Sequence, residues 1–159
     1  MKSVILYFAF IATLFLLFSC NNQSESKFEF THEETGLSFT KCIAIQWNDT
    51  LENNIVPIDS TVEMQFIGCS GFKLYEGKAF VGASMTLADS TGNILFKNED
   101  LFIDYDTIGF EPNLVKERVG IFLVTGNPMK KGGTYKWTAK IWDKKGNGKI
   151  EAIALIIVK

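Results

Sequence analysis

The sequence predicts an all-β fold, an antiparallel β-sandwich, on three observations. Apolar residues recur at every second position through most of the chain beyond residue 36, which is the pattern of strands with one buried face. Gly, Asn and Asp gather between those runs, where tight connections need their conformational freedom. No stretch beyond residue 20 holds a 3.6-residue period over three turns; only residues 111–118 suit one short helix. The 159 residues are 47% hydrophobic and 13% aromatic, enough for one domain with a real core.

The first element is an address rather than part of the fold. Met1-Lys2-Ser3 is a short positive start, and Val4 to Phe18 is a 15-residue apolar run without a charge. That is short for a membrane span and suits the core of a signal peptide. It ends in Leu17-Phe18-Ser19-Cys20, after which the composition turns polar at Asn21-Asn22-Gln23-Ser24-Glu25-Ser26. These four residues resemble the lipobox of bacterial lipoproteins. The resemblance implies cleavage before Cys20 and lipid on its thiol, and so a membrane partner through the anchor. Two or more acyl chains hold stably where one holds marginally. The expected organisation is a signal peptide over 1–19, a lipidated Cys20 and polar tether over 20–27, and one sandwich domain over 28–159.

Asn21 after the cysteine, and the Asn-rich sequence that follows, resemble lipoproteins of the Bacteroidota. The resemblance implies an outer-membrane location. Those proteins mark surface export with acidic residues soon after the cysteine; here only Glu25 is near, so the periplasmic and surface-facing leaflets both stay open.

Within the domain, Leu37, Phe39, Ile43, Ile45 and Trp47 alternate against Ser38, Thr40, Cys42, Ala44 and Gln46. Val62, Met64 and Phe66 follow, then Val81, Ala83, Met85 and Leu87. Asp89 to Asn93 marks a turn into another strand. Val119, Ile121 and Leu123 give a further strand, and Tyr135, Trp137, Ala139 and Ile141 alternate against lysines 136 and 140. Asp143 to Gly148 is a second turn; its lysines stand where a calcium loop needs carboxylates. The closing run, Ile150 to Val158, is apolar on both faces and belongs inside a sheet or against another surface.

About seven to nine short strands with these spacings suit an immunoglobulin-like architecture. Gly133-Thr134-Tyr135-Lys136-Trp137-Thr138, leading through Ile141 to Asp143 and Gly146-Asn147, resembles the last hairpin of bacterial Ig-like surface domains. The resemblance makes Tyr135 a corner tyrosine and speaks to fold, not to function.

Charge and chemistry narrow the function classes. The net charge of −2 lacks the basic excess of a nucleic-acid binder. A single histidine, His32, excludes His-rich metal sites and reads as a surface loop residue. No serine sits in a GxSxG elbow, so no catalytic residue, cofactor or enzyme activity is expected. Glu99, Asp100, Asp104 and Asp106 share one segment that could gather around a hard cation. The apolar residues between them favour an ordinary strand with solvated acids, and no metal ligand is assigned.

Three further features are candidates. Cys42 and Cys69 are either a disulfide or two buried thiols. A bridge would close a loop of about 27 residues and stabilise by roughly 3 kcal/mol. Asp49-Thr50-Leu51, Asp59-Ser60-Thr61, Asp89-Ser90-Thr91 and Asp106-Thr107-Ile108 resemble the O-glycosylation motif of exported Bacteroidota proteins. The resemblance makes Thr50, Ser60, Ser90 and Thr107 acceptors, although Asp before Ser or Thr also favours turns. Trp142, on the lysine face, is a candidate centre for a flat binding surface with Phe72, Tyr75 or Phe110. The expected role is therefore a lipid-anchored binder of an envelope or extracellular protein or glycan. The alternative is a carrier of a small molecule or of calcium, with a pocket between the sheets.

Overall fold

The computed structural model describes residues 28–159. The expected signal peptide, lipidated Cys20 and tether lie outside the described residues. The chain forms an antiparallel β-sandwich with twelve strands among the described residues. These are β1 (Thr31–Thr35), β2 (Lys41–Gln46), β3 (Asp49–Thr50), β4 (Ile55–Val56), β5 (Thr61–Ile67), β6 (Leu74–Tyr75), β7 (Lys78–Ala79), β8 (Val81–Asp89), β9 (Ile94–Asn98), β10 (Val119–Val124), β11 (Thr134–Asp143) and β12 (Lys149–Val158). Among the described residues a single α-helix, α1 (Pro112–Glu117), falls inside the segment expected to hold one.

The larger sheet has the order β1-β12-β11-β8-β9, with β4 running parallel beside β12. The smaller has the order β10-β5-β2-β3. The chain passes from β8 and β9 across to β10 and back to β11 and β12, which is the crossing connection of an immunoglobulin-type sandwich. Tyr135 stands at the start of β11, where its hydroxyl accepts the Lys130 backbone N–H at 2.6 Å.

Alternation sets the core. Tyr135, Trp137, Ala139 and Ile141 of β11 are buried, while Lys136 and Lys140 are exposed. Facing them across the sandwich are Val62, Met64 and Phe66 of β5 and Ile121 and Leu123 of β10. Each such side chain contributes about 1.5–3 kcal/mol by leaving water. The last strand, β12, is internal to its sheet, with Leu155 and Ile157 left exposed on the outer face.

Two segments depart from the sequence reading. In β2 the inward side chains are Cys42, Ala44 and Gln46, not Ile43 and Ile45. Leu37 and Phe39 do point inward, but the chain bends at Thr40, and a slip of one residue exchanges the two faces of a strand. Register confirms the exchange, since Cys42 pairs with Phe66 and Ala44 with Met64. The second departure is the acidic segment, where Ile103–Tyr105 is a 3-10 helix rather than a strand. Phe102 packs edge-on to Phe110, and Tyr105 stacks on Phe110, so the rings form a local cluster away from any ladder.

The start of the domain is tied down by one side chain. Asn54 accepts the Glu29 backbone N–H at 2.9 Å and donates to the Leu155 carbonyl of β12 at 2.6 Å. His32 lies on β1, not in a loop, with its ring edge-on to Phe39.

Candidate binding site

The central strand of the smaller sheet carries an acid on its outer face. Glu63 and Gln65 alternate with the core residues Val62, Met64 and Phe66, and both are nonetheless buried. Gln65 Nε2 donates to Glu63 Oε2 at 2.6 Å. Glu63 Oε1 is buried and has no hydrogen-bond partner. Arg118 Nε is 3.9 Å away, a charge neighbour beyond hydrogen-bond length, on a side chain that is more than half exposed.

Gly120 makes room for this carboxylate. The neighbouring strand sets Phe122 opposite Glu63 and Gly120 opposite Gln65. A Cβ at Gly120 would stand 2.0 Å from Glu63 Oε1, so any other residue there would force the carboxylate to swing away. Beside the carboxylate is a cavity of about 360 Å³ walled by Phe102, Phe110, Leu114, Val119 and Phe122. The ring cluster of the 3-10 segment and the C-terminal end of α1 thus close over an acid that alternation alone would leave in water.

Phe122 also borders a second hollow of about 230 Å³ with Leu95, Phe96, Val124 and Met129. It lies between β9 and β10, the last strands of their respective sheets. Phe96 is 47% exposed, Phe122 55% and Val124 70%. An apolar edge of this kind offers unpaired main-chain groups between apolar side chains. A larger cleft, about 920 Å³, is elsewhere, near Phe28, Phe30, His32 and Phe39. Its lining holds no buried unpaired polar side-chain atom, so volume alone does not make it the stronger site.

The residues singled out by sequence are scattered. Cys42 and Cys69 are free thiols and are not bridged. Cys69 Sγ is turned to the Phe66 carbonyl, 3.6 Å away. Burial pushes both thiols up to about 12, with the Cys69 charge adding to Cys42 and the Glu34 charge to Cys69. Thr50, Ser90 and Thr107 are exposed. Ser60 is buried, hydrogen-bonded to Gln46, with its backbone N–H donated to Thr125 Oγ1 at 3.0 Å. Its hydroxyl is therefore inaccessible in the folded domain. Asp89 beside Ser90 accepts the Thr91 hydroxyl and backbone N–H and the Asn93 N–H. The Thr91 hydroxyl bond leads in holding its carboxyl at about 2.

Trp142 lies on the outer face but is half-buried, its ring against the Gly82 backbone. It forms no ring pair with Phe72, Tyr75 or Phe110. The most exposed tryptophan is instead Trp47, 76% exposed at the tip of the β2–β3 hairpin. The acids of 99–106 close on protein: Asp100 and Asp106 both pair with Lys144. Among the described residues no group of three or more metal-ligating side chains could hold an ion, and no helix is long and apolar enough to cross a membrane.

Sequence reasoning passed over Glu63, Phe96 and Phe122. The one visible signal was a glutamate in a strand followed, on the neighbouring strand, by a glycine in place of a side chain. No protein-family model matches the chain, and no curated protein matches it.

Proposed function

We propose that this protein is a non-enzymatic, lipid-anchored component of a bacterial outer membrane, held through Cys20, that binds a partner on the surface of its sandwich. The observation that carries the binding role is the open edge of β10, with Phe122 and Val124 exposed on one face and the core residues Ile121 and Leu123 on the other. An apolar edge strand left bare invites another strand. A protein partner suits it better than a glycan, because an edge offers main-chain donors and acceptors in register for a second main chain. The anchor would confine both partners to a surface and raise their effective concentration.

Photo-crosslinking tests this reading. A photoreactive residue in place of Val124, in the full-length protein in intact cells, is expected to give a discrete protein adduct. A Phe122→Pro change in the same edge should reduce it, whereas the same probe at Thr35 on the polar strand β1 should give none. Equal labelling from both positions, or no adduct from Val124, would sink the edge reading. Intact mass of the recovered protein tests the anchor: a chain that keeps residues 1–19, or carries no lipid at Cys20, overturns it.

A further inference from the structure

We infer that the cavity beside Glu63 is a receptor for an organic cation, an ammonium or guanidinium group carried on a short apolar stem. The inference stands apart from the edge reading, since it uses no main-chain group of β10. It rests on a buried carboxylate oxygen without a donor at the wall of a cavity of about 360 Å³.

Each feature of the site excludes a class of ligand. A neutral apolar molecule would cover the carboxylate and leave its charge unpaired, which a buried acid strongly disfavours. An anion would meet two acids in the lining, Glu63 and Glu117, against the one base, Arg118. A calcium ion needs six to eight oxygens, and the carboxylates lining this cavity are only Glu63 and Glu117. A positively charged N–H donor answers Oε1 directly, with a charge-assisted bond. Phe102, Phe110 and Phe122 supply ring faces of the kind that attract such a group. Leu114, Val115 and Val119 give the stem an apolar bed.

Gly120 leaves the room that the buried Oε1 atom occupies, and a side chain there would push the carboxylate out of this position. Arg118 is the competitor within the chain. Its Nε is 3.9 Å from Oε1 with the side chain mostly in solvent, so it tempers the negative charge without satisfying the oxygen.

Phenethylammonium, titrated into the purified full-length protein, is the probe. Binding should shift the Gly120 and Phe122 amide resonances, and phenethyl alcohol, which has the same shape and no charge, should fail to do so. Glu63→Gln should weaken binding about tenfold or more, and Arg118→Met should strengthen it or leave it unchanged. Phe122→Ala, at an exposed position, should weaken it severalfold and serves if Glu63→Gln does not fold. The inference is overturned if phenethylammonium shifts neither resonance, if the alcohol binds as well, or if Glu63→Gln or Phe122→Ala leaves binding unaltered. A basic side chain of a partner could supply the same head group. A peptide carrying one central lysine between valines should then displace phenethylammonium; if it cannot, the cation that fits is a free amine.

Discussion

Lys144, in the turn between β11 and β12, lies 2.6 Å from Asp100 and also pairs with Asp106, so the hairpin end is pinned to the 3-10 segment. The Lys144 and Asp100 side chains are 15% and 18% exposed, which makes this pair worth more than a solvated one. The Asp100 carboxylate also accepts the Phe102 N–H at 3.0 Å.

Removing one partner should therefore cost more than removing a surface charge. Lys144→Met is expected to destabilise the domain by about 2–3 kcal/mol, read as a lower urea midpoint. The pair also sets a pH dependence at both ends. Burial alone would raise the Asp100 carboxyl, but the bonds from Lys144, Phe102 and Ala83 outweigh it and the carboxyl is held low. Its stabilisation is thus present above the ordinary carboxylate range and lost as pH falls through the lowered value. For Lys144 burial would lower the ammonium, and the bonds to Asp100 and Asp106 raise it instead. That contribution is present below the ordinary lysine value and lost as pH rises through the raised one. Both slopes should flatten in Lys144→Met; unchanged slopes would assign the pH dependence to other groups.

Gly82 and Trp142 make a second testable pair. A Cβ at Gly82 would fall 2.0 Å from the Trp142 ring. Gly82→Ala is expected to lift that ring into solvent, red-shift the fluorescence and cost about 1–3 kcal/mol through strain. A spectrum identical to the native one would show that the ring has another resting place.

The thiols should be silent in the native protein. With both held near 12, almost no thiolate forms at neutral pH, and the thiolate is the reactive species. Alkylation at pH 8 followed by peptide mapping should leave Cys42 and Cys69 unlabelled, and brief unfolding should expose both. A disulfide-linked peptide pair in the native digest would contradict the free-thiol arrangement.

Glycan, if attached through the Asp-Ser/Thr motif, should appear on the exposed hydroxyls alone. Site mapping of protein from its native host is expected to find modification among Thr50, Ser90 and Thr107 and none at Ser60. Occupancy at Ser60 would require attachment before folding, because that hydroxyl is buried against Gln46.

The strands most legible in the sequence were those whose partners are all in phase. In β8 and β11 each inward residue faces another inward residue in unbroken register from Tyr135–Asp89 to Asp143–Val81, so alternation alone identified them. The phase of β2 was not legible, because the bend at Thr40 is set by tertiary contact: Gly68 packs so closely there that an added Cβ would stand 2.3 Å from Thr40 Oγ1. The 3-10 turn was hidden for a related reason. Leu101 to Tyr105 has strand composition, but Asp100 is held by a lysine 44 positions later in the chain. Nor could alternation separate Glu63 from a solvated acid. What buries it, α1 and the phenylalanine cluster, lies about 40–55 residues downstream.

The clamp at Asn54 has a mechanical consequence. It joins Glu29, where the described chain begins, to Leu155 of β12, a strand flanked on both sides. Tension arriving along the chain ahead of Phe28 therefore loads an interior strand as well as the edge strand β1. To peel β1 away, a pull must first break the link that Asn54 makes between Glu29 and Leu155. Asn54→Ala should lower the force at which the domain begins to unravel, even where its resting stability hardly changes.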